Sequence, residues 1–309
     1  MGGPWQVRHV PVAGCDPEIV ANTALAALQR VDRQMSTYRP ESDLMHVNAG
    51  PLRQWLPVPD DVQTVMACAN DIARLSDGAL NIALGHLVNA WGFGPDDTPD
   101  HPPDVSTQRA TAALAAIGSF SLRADPPSVW KDEKVAFDLS AIAKGFAVDR
   151  AAAALRALGV QNFLVEAAGE IFATGVRPDG QPWQVGLELP VPNEHLVFDH
   201  IALKDMALAT SGDYRNLRTI NGETYSHTLS PLTGFPIKGD LRSVTVLHHS
   251  CMRADALATA LYVLGPKAGP QFAEAQNISA LFLIKETEGF KEVRSEELVR
   301  QLSQGRLSY

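Results

Sequence analysis

Within residues 129–174 the chain runs from an apolar β-rich stretch through a small-residue helical stretch into a second β-rich one, with almost nothing between them. No other segment constrains the fold as much, because the first junction is chemically marked. Asp138-Leu-Ser140 closes the run 129–137, and residues 140–158 then read as a helix that stops at Gly159, a natural position just past a helix end. Lys144 falls on the first turns of that helix. Unpaired N–H groups at a helix start, with an ammonium close by, suit a phosphate. The same Asp138-Leu-Ser140 step serves equally as a plain helix cap.

More than a hundred residues later, Ala254-Asp255-Ala-Leu-Ala-Thr259 sits in an apolar helical pattern spanning about 253–264. Asp255 and Thr259 are four apart, so their oxygens share one helix face. Two hard oxygens at that spacing can supply part of a Mg²⁺ shell. An isolated pair of this kind is more often a capping acid and a packed threonine. Phosphate together with magnesium is the chemistry that the two segments jointly indicate.

Around these segments the pattern is mixed. Helices are expected at 16–35, following the N-cap Asp16, at 60–75 after Pro59, and at 107–117, with a terminal helix from Ser295. Strand-like runs fall at 119–123, 129–137, 163–174, 183–189, 196–203, 243–248 and 280–284, and Asn221-Gly222 suits a type I′ hairpin turn. Thr210-Ser-Gly-Asp213-Tyr reads as a turn. Strands and helices do not alternate strictly, which favours an α+β fold with mixed or antiparallel sheets and packed helices over a doubly wound sheet.

Length and composition set outer bounds. The 309 residues, 45% hydrophobic and 20% charged, describe a globular chain able to bury a full core. A net charge of -9 argues against a nucleic-acid binder, which needs a basic face. No apolar run reaches the length of about 18 residues that spans a bilayer. The start, Met1-Gly-Gly-Pro-Trp5, lacks the basic and apolar regions of a secretion signal and enters directly on a strand, so a leader removed upstream is expected. Cys15, Cys68 and Cys251 are scattered and odd in number, which favours buried thiols over a disulfide framework or a cysteine metal site.

Several nucleotide and hydrolase motifs are missing. The chain has no G-x-G-x-x-G after its first strand, no G-x-x-x-x-G-K-[ST], no H-E-x-x-H and no G-x-S-x-G. Rossmann, P-loop, zincin and α/β-hydrolase readings lose weight accordingly. His227, in Ser226-His227 after a strand, is a candidate base, because an imidazole with an ordinary pKa of about 6.5 suits proton transfer near neutral pH. A lone histidine is more often a hydrogen-bonded structural residue.

The order and joint presence of these blocks resemble the ApbE family of FAD:protein FMN transferases. The likeness begins at Met35-Ser-Thr-Tyr38-Arg-Pro-Glu-Ser-Asp-Leu and Asn48, and continues through Asp77-Gly-Ala-Leu-Asn81 and Gly85-His-Leu-Val-Asn-Ala-Trp91-Gly-Phe-Gly-Pro95. It then takes in Asp138-Leu-Ser-Ala-Ile-Ala-Lys-Gly, Leu164-Val-Glu-Ala-Ala-Gly169-Glu170 and Ala209-Thr-Ser-Gly-Asp-Tyr214. The last blocks are Tyr225-Ser-His-Thr-Leu-Ser-Pro231-Leu-Thr-Gly-Phe-Pro236 and Ala254-Asp-Ala-Leu-Ala-Thr-Ala260. Ser230, Leu232, Asn81 and Ala168 depart from residues frequent in the family, namely Asp, Arg, Asp and Gly.

The resemblance implies one catalytic unit over residues 1–309 with a T-fold-like core, arranged as two subdomains with the FAD site between them. It implies transfer of the FMN half of FAD to a Thr or Ser hydroxyl of an acceptor protein, such as a subunit of a membrane redox complex, with release of AMP. On this reading Asp255, Thr259 and the backbone carbonyl of Ala141 hold Mg²⁺. Lys144 adds a fixed positive charge, Asp138 accepts hydrogen bonds from the cofactor, and His227 is the base. Met35, the Ala79-Leu80-Asn81 stretch and Leu229 line the flavin, and Tyr38 stacks on the cofactor or stays an ordinary core tyrosine. The family also implies a cell-envelope or periplasmic location with a leader or lipid anchor outside this chain. Two rivals remain open: a Mg²⁺-dependent FAD pyrophosphatase, and a carrier that holds FAD intact.

Overall fold

The computed structural model describes residues 3–96, 99–114, 118–191, 194, 196–212 and 217–303. In chain order the elements are β1 (Trp5–His9), α1 (Pro17–Met35), α2 (Asp43–Ala49), β2 (Trp55–Pro57), α3 (Asp60–Leu75), α4 (Gly85–Ala90), α5 (Val105–Leu114), β3 (Phe120–Ala124) and β4 (Pro127–Lys131). They continue with α6 (Ala143–Ala157), β5 (Phe163–Ala167), β6 (Glu170–Thr174), β7 (Trp183–Glu188), β8 (Val197–Leu203), β9 (Met206–Gly212), β10 (Leu217–Ile220) and β11 (Glu223–Ser226). The last are β12 (Leu241–His248), α7 (Cys251–Ala275), β13 (Ser279–Lys285), β14 (Phe290–Arg294) and α8 (Glu296–Ser303). Among the described residues no helix is long and apolar enough to cross a membrane.

The chain divides into two compact units. The first comprises Met1–Arg30, Lys144–Arg215 and Asp240–Tyr309. Its frame is a seven-stranded antiparallel sheet in the order β1-β5-β6-β9-β12-β13-β14. Alternation along the strands sends residues to opposite faces. Ile171, Ala173, Met206, Leu208, Leu247 and Leu281 share one apolar cluster with Trp183, Val185, Leu187, Ile201 and Leu203 of the β7–β8 ribbon. The intervening positions of β9, Ala207 and Ala209, are fully buried, and α7 packs against β9 and β12. Small side chains there let a helix lie close to the strands.

The second unit comprises Val31–Ala143 and Asn216–Gly239. It holds the three-stranded sheet β2-β4-β3 and the hairpin β10–β11. Trp91, 1% exposed, ties its two chain segments together: its indole N–H donates to the Gly234 carbonyl at 3.0 Å, and its own carbonyl accepts from Arg218 at 2.6 Å.

The α+β reading with antiparallel sheets and packed helices holds, and so does the hairpin, whose Asn221 and Gly222 both have positive φ. Several boundaries differ. The run 129–137 is not one strand: β4 ends at Lys131. Beyond it, the Asn48 side chain takes both polar groups of the Phe137 backbone, accepting from its N–H at 2.7 Å and donating to its carbonyl at 2.9 Å. Those groups are satisfied without a ladder partner. The helix expected from 140 starts at Ala143, after a turn in which Ile142 and Ala143 N–H both donate to the Leu139 carbonyl. The run 163–174 is a hairpin that turns at Ala168-Gly169, with Ala167 opposite Glu170.

Thr210, Ser211 and Gly212 are not a turn but the end of β9, paired with β12, while Asp213 and Tyr214 lie outside the described residues. Helix α5 covers Val105–Leu114, and residues 115–117 of the expected helix are likewise outside. Helix α7 breaks at Gly265 (φ 81°) where the sequence ends it, but a second helical piece opens on Pro266 and runs to Ala275. Proline is accepted there because the first turn of a helix needs no N–H from it. Cys15, Cys68 and Cys251 are free thiols, the last two buried.

Ala168 stands in the left-handed region (φ 55°), followed by Gly169 (φ 101°). A two-residue turn of this kind requires positive φ at both positions. An alanine there costs about 1–2 kcal/mol that glycine does not. Glycine's extra freedom in the unfolded chain takes back about 0.4–1 kcal/mol. Ala168→Gly is therefore expected to stabilise the fold by roughly 0.5–1 kcal/mol in urea denaturation.

Candidate functional site

In the first unit, the start of α6 and the start of α7 are pinned together. Gly145 is the reason they can be. A Cβ built on it would lie 2.2 Å from the Cys251 carbonyl oxygen and 2.9 Å from the Asp255 Cβ. With no side chain in the way, the Gly145 N–H donates to Asp255 Oδ2 at 3.0 Å. One turn further along α6, Asp149 accepts from the Cys251 N–H (2.8 Å), the Met252 N–H (3.0 Å) and the Ser250 hydroxyl (2.7 Å). Ser250 in turn caps α7 by accepting from the Arg253 N–H at 3.3 Å. A carboxylate on one helix thus satisfies the unpaired N–H groups at the start of the other. Burial pushes the Asp149 carboxyl above the ordinary range, and these hydrogen bonds work against that rise.

This joint brings Lys144 and Asp255 together. Lys144 Nζ lies 2.8 Å from Asp255 Oδ1 and 3.1 Å from Oδ2. It also lies 3.4 Å from Glu170 Oε1, on the first residue of β6. The two carboxylates are 3% exposed, whereas the lysine side chain as a whole is 30% exposed. Burial pushes the Glu170 carboxyl up to about 8; the Lys144 ammonium opposes that rise and Asp255 adds to it. Burial alone would lower the Lys144 pKa, but the two carboxylates outweigh it and hold the group well above its usual range. The thiol of Cys251 is raised by burial, with Asp149, Glu170 and Asp255 adding to the effect.

One turn past Asp255, the half-buried Thr259 hydroxyl shares a hydrogen bond of 3.1 Å with the Ser211 hydroxyl at the end of β9. A carboxylate and two hydroxyls make a donor set of hard oxygens, and the second oxygen of buried Glu170, Oε2, has no hydrogen-bond partner among the described residues. This set fits a Mg²⁺ ion that keeps several waters or phosphate oxygens in its shell. It carries no thiolate or imidazole that would select a softer metal.

The residues expected to line the flavin and the expected base all lie in the second unit. His227 directly follows β11 and is half-buried, with the Phe93 ring edge-on at 6.4 Å between centroids. The next turn is closed by Ser230 N–H to the Phe235 carbonyl and Gly234 N–H to the Ser230 carbonyl, both 2.8 Å, and Leu229 bridges to Pro236. Leu229 is buried, and Leu232 is 77% exposed at the tip. Tyr38 is not a core residue: it is 67% exposed, with its hydroxyl donating to the Phe93 carbonyl at 3.0 Å. Tyr38 and His227 therefore flank the same residue, Phe93.

Met35, the last residue of α1, is buried, as are Ala79 and Leu80, which form the turn after α3. Asn81 accepts from the Ala83 N–H at 2.8 Å and so shapes its own loop. Asp138 accepts from the Ser140 N–H at 2.7 Å, which makes it the cap of the turn before α6, and Ala141 lies within that turn. The sequence reading did not assign Glu170, Ser211, Gly145 or Asp149 to the site. Glu170, Ser211 and Gly145 stand inside blocks that carried the family likeness, which was the available signal; Asp149 lies four residues beyond the block that ends at Gly145.

The fold is α+β, and its candidate site pairs a half-buried lysine with two buried carboxylates beside two hydrogen-bonded hydroxyls. The family model described as the ApbE family matches residues 1–282, and the chain belongs to that family. A FAD:protein FMN transferase of Vibrio cholerae is 39% identical over 297 residues, 96% of this chain and 88% of that protein. One of Haemophilus influenzae is 36% identical over 270 residues, 86% of this chain and 78% of that protein. The solved structure of the flavin transferase ApbE from Vibrio cholerae superposes with a TM-score of 0.89 at 37% identity, covering 97% of this chain and 96% of that one.

Gly145 supplies the sharpest test of this geometry. Gly145→Ala places a methyl within 3 Å of two backbone atoms of Cys251 and the Asp255 Cβ, so α6 and α7 must part. Overpacking of this kind costs about 1–3 kcal/mol. The variant should lose about that much stability in urea denaturation, at the upper end of the range because the two nearest atoms are backbone.

Proposed function

We propose that this protein transfers the FMN half of FAD to a hydroxyl of an acceptor protein and releases AMP. The observation that carries the proposal is the Lys144–Asp255 pair with the Thr259 and Ser211 hydroxyls, supported by relatives that bear the name of this activity and are matched over 88% and 78% of their length. In the reaction the acceptor oxygen bonds to the flavin-side phosphorus, the bridging P–O bond breaks, and AMP leaves with the electron pair. The acceptor is a Thr or Ser side chain, and its proton must go to a base. Such a step is governed mostly by positioning and neutralisation of charge.

Lys144 sets a fixed positive charge for the pyrophosphate oxygens, and the two carboxylates beside it keep it protonated and in place, against the effect of burial. Asp255, Thr259 and the Ala141 carbonyl would hold Mg²⁺. A bound Mg²⁺ supplies Lewis-acid neutralisation of the phosphate oxygens. His227 takes the acceptor proton, and the closed turn 230–236 fixes the chain beyond it. Asp138 holds the turn before α6 through the Ser140 N–H, and accepts from the cofactor on this reading. Met35, Ala79, Leu80, Asn81, Leu229 and Tyr38 serve the flavin. We place the work of the enzyme in the cell envelope, on the family resemblance alone.

Purified protein given FAD and Mg²⁺, with and without an acceptor protein carrying an exposed threonine, tests the reading. AMP that forms only with the acceptor is the expected result. AMP without acceptor would mean FAD hydrolysis, and no AMP would mean binding alone.

EDTA should abolish transfer and Mg²⁺ restore it, with Asp255→Asn inactive under both conditions. Asparagine is the better replacement, because alanine would also strip the Gly145 N–H and Lys144 of their partner, and breaking a buried pair costs about 3–5 kcal/mol. Full activity in EDTA would sink the metal assignment.

A positioned base is worth about 10²–10⁴-fold in rate. His227→Ala should slow single-turnover transfer by about that factor while FAD affinity stays within about twofold of the parent. Joint loss of stability and FAD binding would make His227 a structural residue instead.

A further inference from the structure

We propose that Glu170 is the positioning residue for Lys144, holding the ammonium in place when Asp255 turns its oxygens to a divalent cation. The inference rests on the metal reading above and deepens it. As it stands, Asp255 is crowded with donors: Lys144 Nζ at 2.8 and 3.1 Å and the Gly145 N–H at 3.0 Å. A cation at Asp255 competes with the ammonium for the same two oxygens, and the two positive charges repel each other. If Lys144 had no second partner it would either block the ion or swing away from the phosphate it is meant to meet.

Glu170 offers that second partner. Its Oε1 already lies 3.4 Å from Lys144 Nζ, and its Oε2 has no hydrogen-bond partner among the described residues. The Lys144 ammonium favours the ionised form of Glu170, in which the carboxylate has about four lone-pair sites, so Glu170 has room to accept more from the same ammonium. A shift of a few tenths of an ångström brings that contact into ordinary hydrogen-bond range, and the lysine stays where it is. At 3% exposure, water does not compete for the group.

Glu170 is also held where it must be. It is the first residue of β6, opposite Ala167, directly after the tight Ala168-Gly169 turn, with β5 on one side of the strand and β9 on the other. Asp255 sits on a helix and Glu170 on a strand, so the lysine is shared between two rigid elements. Each positive charge then has its own carboxylate: the cation takes Asp255 and the ammonium takes Glu170.

The test is a double-mutant cycle read by calorimetric titration of Mg²⁺ into the full chain without FAD, using the parent, Glu170→Gln, Lys144→Met and the double variant. Glu170→Gln should weaken Mg²⁺ binding about tenfold while Lys144 is present, because the ammonium then stays on Asp255; coupling of that size is ordinary for contacting pairs. With Lys144→Met the same substitution should cost only about twofold. Equal weakening in both backgrounds would overturn the proposal, since Glu170 would then act on the ion directly. No weakening in either background would overturn it as well. If the Gln variant does not fold, Glu170→Asp keeps the charge one methylene further back and should show the same dependence on Lys144 at smaller size. A parent protein that binds no Mg²⁺ would remove the metal reading itself. Binding in the parent with no dependence on Lys144 would remove the positioning role alone.

Discussion

The close approach of α6 to the first turns of α7, made possible by Gly145, is the contact on which the candidate site depends. Two helices packed side by side through ordinary residues keep their axes 8–10 Å apart, and side chains fill the gap. Here the backbone of one lies against the backbone of the other, so a main-chain N–H of α6 reaches a carboxylate of α7, and a carboxylate of α6 reaches the main-chain N–H groups that open α7. The exchange is reciprocal: each helix start, with its partial positive charge, is held by an acid of the other. Asp255 is therefore the anion that the α6 N-terminus binds in this structure. On the proposed reading, a phosphate at this place meets Lys144 rather than a row of free N–H groups.

The seven-stranded sheet makes this arrangement stiff. Helix α7 packs on β9 and β12, and β9 ends in Ser211, whose hydroxyl meets Thr259 one turn above Asp255. Strand β6, next to β9 in the sheet, begins with Glu170. Three neighbouring elements thus deliver polar groups from strand ends or helix turns, Asp255 and Thr259 from α7, Ser211 from β9 and Glu170 from β6, while the apolar cluster under the β7–β8 ribbon fills the far face. Polar residues at these ends cost little in packing, since the strand interiors carry the burial.

Long periodic segments were legible in the sequence, and so were residues marked by their chemistry. The helices 17–35 and 60–75 follow their apolar faces, the Asn221-Gly222 hairpin follows its turn residues, and Asp255 with Thr259 follows from helical spacing. Local tertiary substitutions were not legible. Nothing in the run 129–137 announces that the side chain of Asn48 would replace a ladder partner for Phe137. The hairpin at Ala168 was hidden because alanine is a poor turn signal. The left-handed conformation it adopts is imposed by the pairing of β5 with β6, not favoured by the residue. Thr210-Ser-Gly read as a turn by composition, yet β12 recruits it as a strand, since ladder pairing outweighs weak local preference.

The same limit explains why Lys144 and Asp255 were read as separate ligands, one for phosphate and one for metal. Sequence spacing shows which residues share a helix face but not which helices touch. The contact hinges on a glycine whose neighbours in sequence, Lys144 and Phe146, say nothing about Cys251. Once the contact is known, the chemistry changes character. A lysine paired with a buried carboxylate is a charge already balanced, and any cation that claims the carboxylate must leave the lysine another partner or expel it. Burying two acids beside one base is costly unless each finds a countercharge. An excess of buried acid beside hard hydroxyl oxygens is therefore the physical mark that supports the proposed cation. That mark is set by how the helices and strands meet, and neither acid carries it alone.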